Sequence, residues 1–330
     1  MKQENHQMPY PLFFKPVYRN YIWGGNRISS LFSRSNTPVP CAESWEISAR
    51  QDGMGIVENG SLAGKTLEQV CYDYGKELLG SHCEETRFPL LVKLIDANKT
   101  LSVQVHPNEE NALRYGGEPK TEMWYFLDAS EDSHVYAGLK RGTTVRGFQE
   151  AIKRNKVPDS LEKIEVQAGK AMFIPGGLVH AIGAGSLIME VQQNSDTTYR
   201  IYDWGHLGTE GKPRELHVPR ALEVVDWRAF ATGLETPFKI DTGNIKNKRE
   251  RVIRSDIFTM ERYTLNEPEL ISHDDSSFKI LFAKNGAVNI SWDSGTELIE
   301  CGRSCLIPAN MPDYSLIPAS PGIQLISVKV

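Results

Sequence analysis

Four side chains able to bind a metal stand at Gln104, His106, Glu122 and His180, and two more carry charge into apolar stretches at Glu190 and Arg200. The first two lie in Leu101-Ser-Val-Gln-Val-His106, where residue types alternate. Side chains of an extended chain point alternately to opposite faces. Ser102, Gln104 and His106 therefore share one face, and Leu101, Val103 and Val105 share the other. A half-exposed strand is the commoner explanation for such a row. If the row is buried, each polar group needs a partner, which a metal or a ligand can supply. Lys120 and Glu122 also face the same way as the chain enters Met123–Leu127, either as an exposed ion pair or as part of a site. His180 follows a Pro175-Gly-Gly turn. Arg200 lies in an apolar run, so it has a solvent exit or an anionic partner. Two imidazoles with oxygen donors suit Zn²⁺, Fe²⁺ or Mn²⁺. Two His and one carboxylate, with a position left open, form a catalytic pattern.

The elements that must position these groups are mostly short strands. Phe88–Ile95, Leu101–His106, Met123–Leu127, Ala171–Ile174, Leu187–Val191 and Thr198–Tyr202 are apolar or alternating runs bounded by turn residues. That pattern predicts a mainly all-β architecture, a sandwich or barrel. Helices are fewer. Thr66-Leu-Glu-Gln69 is a capping box opening a helix to about Leu79, with Gly80 able to end it. Val145–Arg154 and Pro219–Val225 are further helix candidates. The stretch from about Asp226 to Arg251 turns polar and Gly/Pro-punctuated, and strand signals then resume to Val330. This divides the chain into residues 1–235, carrying the chemistry, and a smaller β domain at 236–330. Gly169-Lys-Ala-Met-Phe-Ile-Pro-Gly-Gly-Leu-Val-His180 is echoed by Gly302-Arg-Ser-Cys-Leu-Ile-Pro-Ala-Asn-Met-Pro312. The second copy lacks the histidine, so any chemistry should sit in the first. Trp23-Gly24-Gly25 is either a backbone approach to the pocket or a tight turn.

With 330 residues, 37 basic and 42 acidic side chains and a net charge of −5, the chain is an ordinary globular sequence. The charge argues against a nucleic-acid or acidic-membrane partner. The most basic run, Lys246–Arg251, contains Glu250 and reads as a solvated surface stretch. No apolar stretch approaches the roughly 18 residues of a membrane span. The Met1–His6 start lacks a signal-peptide pattern. Five scattered cysteines (Cys41, Cys71, Cys83, Cys301, Cys305) argue for reduced thiols and a cytoplasmic location.

Several ordered motifs resemble the type I mannose-6-phosphate isomerases, in their short bacterial form. They are Pro11–Pro16, Ile22-Trp-Gly-Gly25, Glu43-Ser-Trp-Glu-Ile47, Phe88–Lys93, Leu101–Pro107, Lys120-Thr-Glu122, Pro175–Ala181, Gln193–Arg200 and Arg214-Glu-Leu-His217. That family is similar to cupins. The resemblance implies two β jelly-roll domains, the second degenerate, and one zinc ion held by Gln104, His106, Glu122 and His180. It implies catalytic roles for Arg200, Lys120 and Glu190, and substrate-pocket roles for Ser102 and Lys93. The implied reaction interconverts D-mannose 6-phosphate and D-fructose 6-phosphate through an enediol, so the partner is a small sugar phosphate. Longer members carry a helical insertion before the last zinc histidine; here 58 positions separate Glu122 from His180, which predicts its absence. They also place a lysine where this chain has His206, which leaves the phosphate site open. Lys120, Glu190 and a metal-bound water all stand as the possible base. The competing readings are a 2-His-1-carboxylate iron dioxygenase, a non-enzymatic sugar-phosphate sensor, and an isomerase of another hexose.

Overall fold

The computed structural model describes residues 10–81, 87–208, 210–230 and 233–330. Cys83 and the Met1–His6 segment lie outside them. The chain gathers into two compact units, one of Val17–Trp45 with Leu90–Thr236, the other of Met1–Pro16, Glu46–Pro89 and Pro237–Val330. Contact grouping is discontinuous in sequence: described residues 10–16, 46–81 and 87–89 group with residues 237–330. Leu12–Phe13 shows why: it pairs antiparallel with Ser304–Ile307, filling a sheet edge of the second unit.

The first unit is a sandwich of two antiparallel sheets. The six-stranded sheet runs, in spatial order, Val17–Arg19, Glu43–Ile47, Leu90–Ala97, Ser186–Gln193, Glu122–Ala129, Ala171–Ile174. The five-stranded sheet runs Tyr199–Tyr202, Val103–Val105, His180–Ile182, His134–Leu139, Leu161–Glu165. Trp124, Phe126, Ile95, Val135, Met172, Ile182 and Ile188 form one buried cluster drawn from both sheets. A second cluster covers the other face of the five-stranded sheet, where Phe148 of the Val145–Lys153 helix and Ala221 and Val224 of the Val218–Val224 helix meet Val103, Val105 and Ile201.

The second unit repeats this plan. Its seven-stranded sheet runs Phe238–Ile240, Lys248–Arg254, Thr259–Leu265, Ile323–Lys329, Lys279–Ala283, Ser304–Ile307, Leu12–Phe13, and its four-stranded sheet runs Glu269–Ile271, Tyr314–Pro318, Val288–Trp292, Gly295–Ile299. In both units the last long strand (Ser186–Gln193 or Ile323–Lys329) is inserted between two earlier ones. Both are cupin-like jelly rolls, and the mainly β reading of the sequence holds.

Two local readings changed. The helix opened by Thr66 ends at Tyr74, because Gly75 takes φ 46°, and a short turn of helix resumes over Lys76–Leu79. Its capping box forms as expected, Gln69 N donating to Thr66 Oγ1 at 3.1 Å and Thr66 N to Gln69 Oε1 at 2.9 Å. The basic run at 246–251 is no loose surface stretch. From Lys248 it is a strand, with Glu250 buried against the Arg262 guanidinium and Arg249 bound to Glu261. Trp23-Gly24-Gly25 follows the tight-turn reading, Gly24 N donating to Tyr21 O at 3.0 Å, and its close neighbours are not pocket residues: a Cβ on Gly24 would lie 2.6 Å from Ala42 N, and one on Gly25 2.6 Å from Asp96 Oδ2.

Candidate metal centre

Strand pairing assembles the site. Gln104 stands opposite His180 on one side and opposite Arg200 on the other, so the three side chains start from one face of the five-stranded sheet. Facing them, Lys93, Glu190 and Trp124 stand in line across three strands of the six-stranded sheet, with Glu122 two residues before Trp124 on the same face. Residues separated by as many as 107 positions thus meet between the sheets.

His106, Glu122 and His180 are buried, and their donor atoms lie within 4.8 Å of one another. His106 Nδ1 is anchored on Thr197 O at 2.9 Å and His180 Nδ1 on Leu178 O at 2.8 Å. Each anchor makes Nδ1 the protonated nitrogen and aims the Nε2 lone pair inward. Burial, reinforced by Lys120, pushes the His106 pKa down to about 3, and burial lowers that of His180. Both rings are neutral, the form that binds metal. Burial opposes ionisation of Glu122, but Lys120 and the two histidines outweigh it and hold the carboxyl well below its ordinary range.

The separations fit a bound cation. His106 Nε2 is 3.4 Å from Glu122 Oε2, His180 Nε2 is 3.5 Å from Glu122 Oε1, and Gln104 Nε2 is 3.3 Å from His180 Nε2. Ligands at about 2.0–2.1 Å around a tetrahedral ion are about 3.3–3.4 Å apart. Turning the Gln104 amide over presents its oxygen instead. Glu122 Oε2 is buried and accepts no hydrogen bond among the described residues. The ammonium of Lys120 stands beside it, 3.0 Å from Glu122 Oε2 and 3.2 Å from His106 Nε2. Two lone pairs and a carboxylate converge there with too few protons between them, which is the electrostatics of a cation site.

A second charged layer adjoins the first. Lys93 Nζ is 3.3 Å from Glu190 Oε1 and 4.0 Å from Glu43 Oε2, and lies 5.2 Å from the centre of the Trp45 ring. Burial works against the Lys93 charge, but Glu43, Glu190 and Glu122 raise its pKa overall. Burial and then Glu122 raise the pKa of Glu190. Trp124 Nε1 joins the layers, donating to Glu122 Oε1 at 3.1 Å and to Glu190 Oε2 at 3.2 Å. Ser102 is buried beside the Val103–Val105 strand. Arg200 is half-buried; its Nη1 donates to Glu215 O at 2.8 Å and its buried Nε has no hydrogen-bond partner among the described residues. Burial, then Arg214, lowers its pKa.

Two participants escaped the sequence reading, Glu43 and Trp124. A signal existed for Glu43, since alternation puts it on the same strand face as Trp45. Glu46, one residue on, points the other way and receives Ser304 Oγ at 3.5 Å in the second unit. Nothing local marks Trp124, because its role depends on two carboxylates from different strands.

Fold and site together define a two-barrel cupin-like protein with a metal-type His-Glu-His set in its first barrel. A family model for the type I phosphomannose isomerase catalytic domain matches residues 12–140. Mannose-6-phosphate isomerase ManA of Bacillus subtilis (strain 168) is 42% identical over 218 residues, 66% of this chain and 68% of that protein. The putative mannose-6-phosphate isomerase YvyI of the same organism is 31% identical over 318 residues, 93% of this chain and 95% of that one. The crystal structure of the mannose 6-phosphate isomerase from Bacillus subtilis superposes with a TM-score of 0.88 at 29% identity, covering 97% of this chain and 99% of that one. The chain belongs to the type I mannose-6-phosphate isomerase family.

Proposed function

We propose that this chain interconverts D-mannose 6-phosphate and D-fructose 6-phosphate through an enediol, with one zinc ion held by Gln104, His106, Glu122 and His180. The carrying observation is the buried His106-Glu122-His180 set, drawn together in a chain whose relatives bear that activity in their names. A bound zinc supplies Lewis acidity toward the carbonyl and hydroxyl oxygens of the sugar.

The chain's own residues do the rest. Isomerisation moves a proton between C2 and C1, so it needs a base at the carbon and positive charge near the developing oxyanion. Lys120 and Glu190 are the two proton-transfer candidates. Glu190 is held on both oxygens, by Lys93 and by Trp124, and burial favours its taking up a proton. Lys120 is buried and lies against the metal ligands, its ammonium 3.0 Å from Glu122 Oε2 and 3.2 Å from His106 Nε2. Arg200 offers a lasting positive charge and an Nε–H without an acceptor among the described residues, suited to an enediolate or a phosphate. Ser102 and Lys93 complete the pocket as substrate-side groups. Residues 236–330 serve as a degenerate barrel with no part in the chemistry.

No helix among the described residues is long and apolar enough to cross a membrane. The cysteines are scattered, with Cys41, Cys71 and Cys305 buried, in keeping with a cytoplasmic enzyme.

The test is conversion of mannose 6-phosphate run in D₂O. Fructose 6-phosphate should form and carry solvent deuterium at C1. Turnover with no deuterium incorporation would contradict the enediol route. No turnover by folded, zinc-loaded protein would contradict the substrate.

A further inference from the structure

The two barrels can be compared position by position through their strand registers. In the first barrel Glu122 stands opposite Ile174, and in the second Lys279 stands opposite Ile307; the two isoleucines occupy the same place in the repeated Gly-x-x-x-x-Ile-Pro segment. Lys279 therefore holds the position of the metal carboxylate. Across the central strands, Lys93–Glu190–Trp124 stand in line in one barrel and Glu261–Ser327–Leu281 in the other. Glu261 thus replaces Lys93, and Ser327 replaces Glu190. The supporting pair is inverted too. Lys93 is countered by Glu43 from the adjacent strand, and Glu261 by Arg249 from the adjacent strand, with Arg249 Nε 2.8 Å from Glu261 Oε2.

These positions are not filled in by apolar side chains. They line a cleft of about 460 Å³ in the second unit, with Arg249, Glu261, Lys279, Ser327, Lys329 and Glu269 in its wall. Deeper along the same strands the face becomes apolar at Tyr263, Leu281 and Leu325. The cleft also holds Asp241 and Asp274, so its carboxylates slightly outnumber its cations, and what distinguishes its charges is which of them are directly bonded. Arg249 is bound to Glu261, and Lys329 lies 3.4 Å from Asp274 Oδ2. Glu269 Oε2 is held by the side-chain amides of Asn244 and Asn247. Lys279 makes no ion pair or hydrogen bond through its ammonium among the described residues; burial, then Lys329 and Arg249, lowers its pKa, against the opposing charges of Asp274 and Glu261 on the same wall. Ser327, a buried residue, stands on the same wall.

We propose that this cleft is a second small-molecule site, for an anion that also carries hydroxyl groups. Where the first barrel presents a carboxylate to a cation, the second presents the Lys279 ammonium to an anion. A charge-assisted bond to Lys279 fixes the anionic group. Ser327, Glu261 and Glu269 accept hydroxyl donors, which a bare inorganic anion lacks. The shared chemistry is that of sugar phosphates and sugar acids. The site stands independently of the reaction assigned to the first barrel.

The test is calorimetric or ligand-observed NMR titration of the full chain with glucitol 6-phosphate, gluconate and inorganic phosphate, comparing wild type with Lys279→Met and Ser327→Ala. First-barrel binding is common to all three proteins and drops out of the comparison. At least one hydroxylated anion should bind wild type roughly tenfold or more tightly than Lys279→Met, the loss of one charge-assisted contact. Ser327→Ala should weaken it less, and both variants should keep wild-type turnover. Whether the sensitive ligand is the phosphate ester or the carboxylate identifies the source. Binding of all three probes unchanged in both variants would overturn the site. Inorganic phosphate showing the same Lys279-dependent affinity as the larger probes would overturn the hydroxyl recognition.

Discussion

The two barrels share a strand order but not an interior. In the first, Gln104 pairs with His180 at the start of the His180–Ile182 strand. In the second, Ile271 pairs with Tyr314 at the start of the equivalent Tyr314–Pro318 strand, and both belong to the apolar core. A metal-type set and a hydrophobic plug are thus alternative fillings of one scaffold, as expected when function lies in a site grafted on a fold. The first barrel tolerates buried Lys93, Lys120, Glu122 and Glu190 only because each has an opposite charge within 4.0 Å. A buried charge left alone would be costly.

The comparison breaks most sharply at the ligands. His106→Ala should strip the metal from the first barrel, with turnover falling by more than the roughly 10–100-fold cost of an outer-shell change. Metal analysis and the isomerase assay on one preparation check both. Next come the proton-transfer candidates. Lys120→Met or Glu190→Gln should cost about 10²–10⁴-fold in kcat for whichever is the base, with metal content unchanged. Near-normal turnover in both variants would remove both from that role.

The second barrel should respond in stability rather than turnover. Leu316→Ala, in its buried core, should cost about 2–5 kcal/mol in a denaturant titration. The kcat of the folded fraction should stay as in wild type. A loss of kcat there would show that the second barrel shapes the active site. Thr66→Ala removes one half of the capping box and should cost about 1 kcal/mol. Asp274 gives the smallest effect. Hydrogen bonds from Ser276 first, then Lys329 and Lys279, hold its carboxyl down to about 2, against partial opposition from burial. A depressed acid stabilises the fold above its unfolded pKa and loses that contribution as pH falls toward 2. Asp274→Asn should therefore melt slightly below wild type at pH 7, by under about 1 kcal/mol after solvent screening, and the gap should narrow toward pH 3. A constant gap would show that the effect is not electrostatic.

Much of the first barrel's site is readable locally. Alternation alone puts Gln104 and His106 on one face, and Lys120 with Glu122. The echo between Gly169–His180 and Gly302–Pro312 announces two related barrels and names the one with the histidine. What escapes the sequence is tertiary. Lys279 and Lys329 are 50 positions apart, and their shared cleft exists only through the pairing of two strands. The Leu12–Phe13 strand is too short to announce its partner near residue 305. The Thr66 helix was readable at its start, where a side-chain motif fixes it. Its end falls five residues before the expected Leu79, because Gly75 is a tolerable helix residue until the chain must turn.

The account rests on a metal in the first barrel. The most direct measurement follows metal content and mannose 6-phosphate turnover on the same sample, as purified, after chelation, and after zinc is restored. The account predicts about one zinc per chain, turnover lost with the metal, and both regained together. Full turnover from folded protein stripped of metal would contradict it.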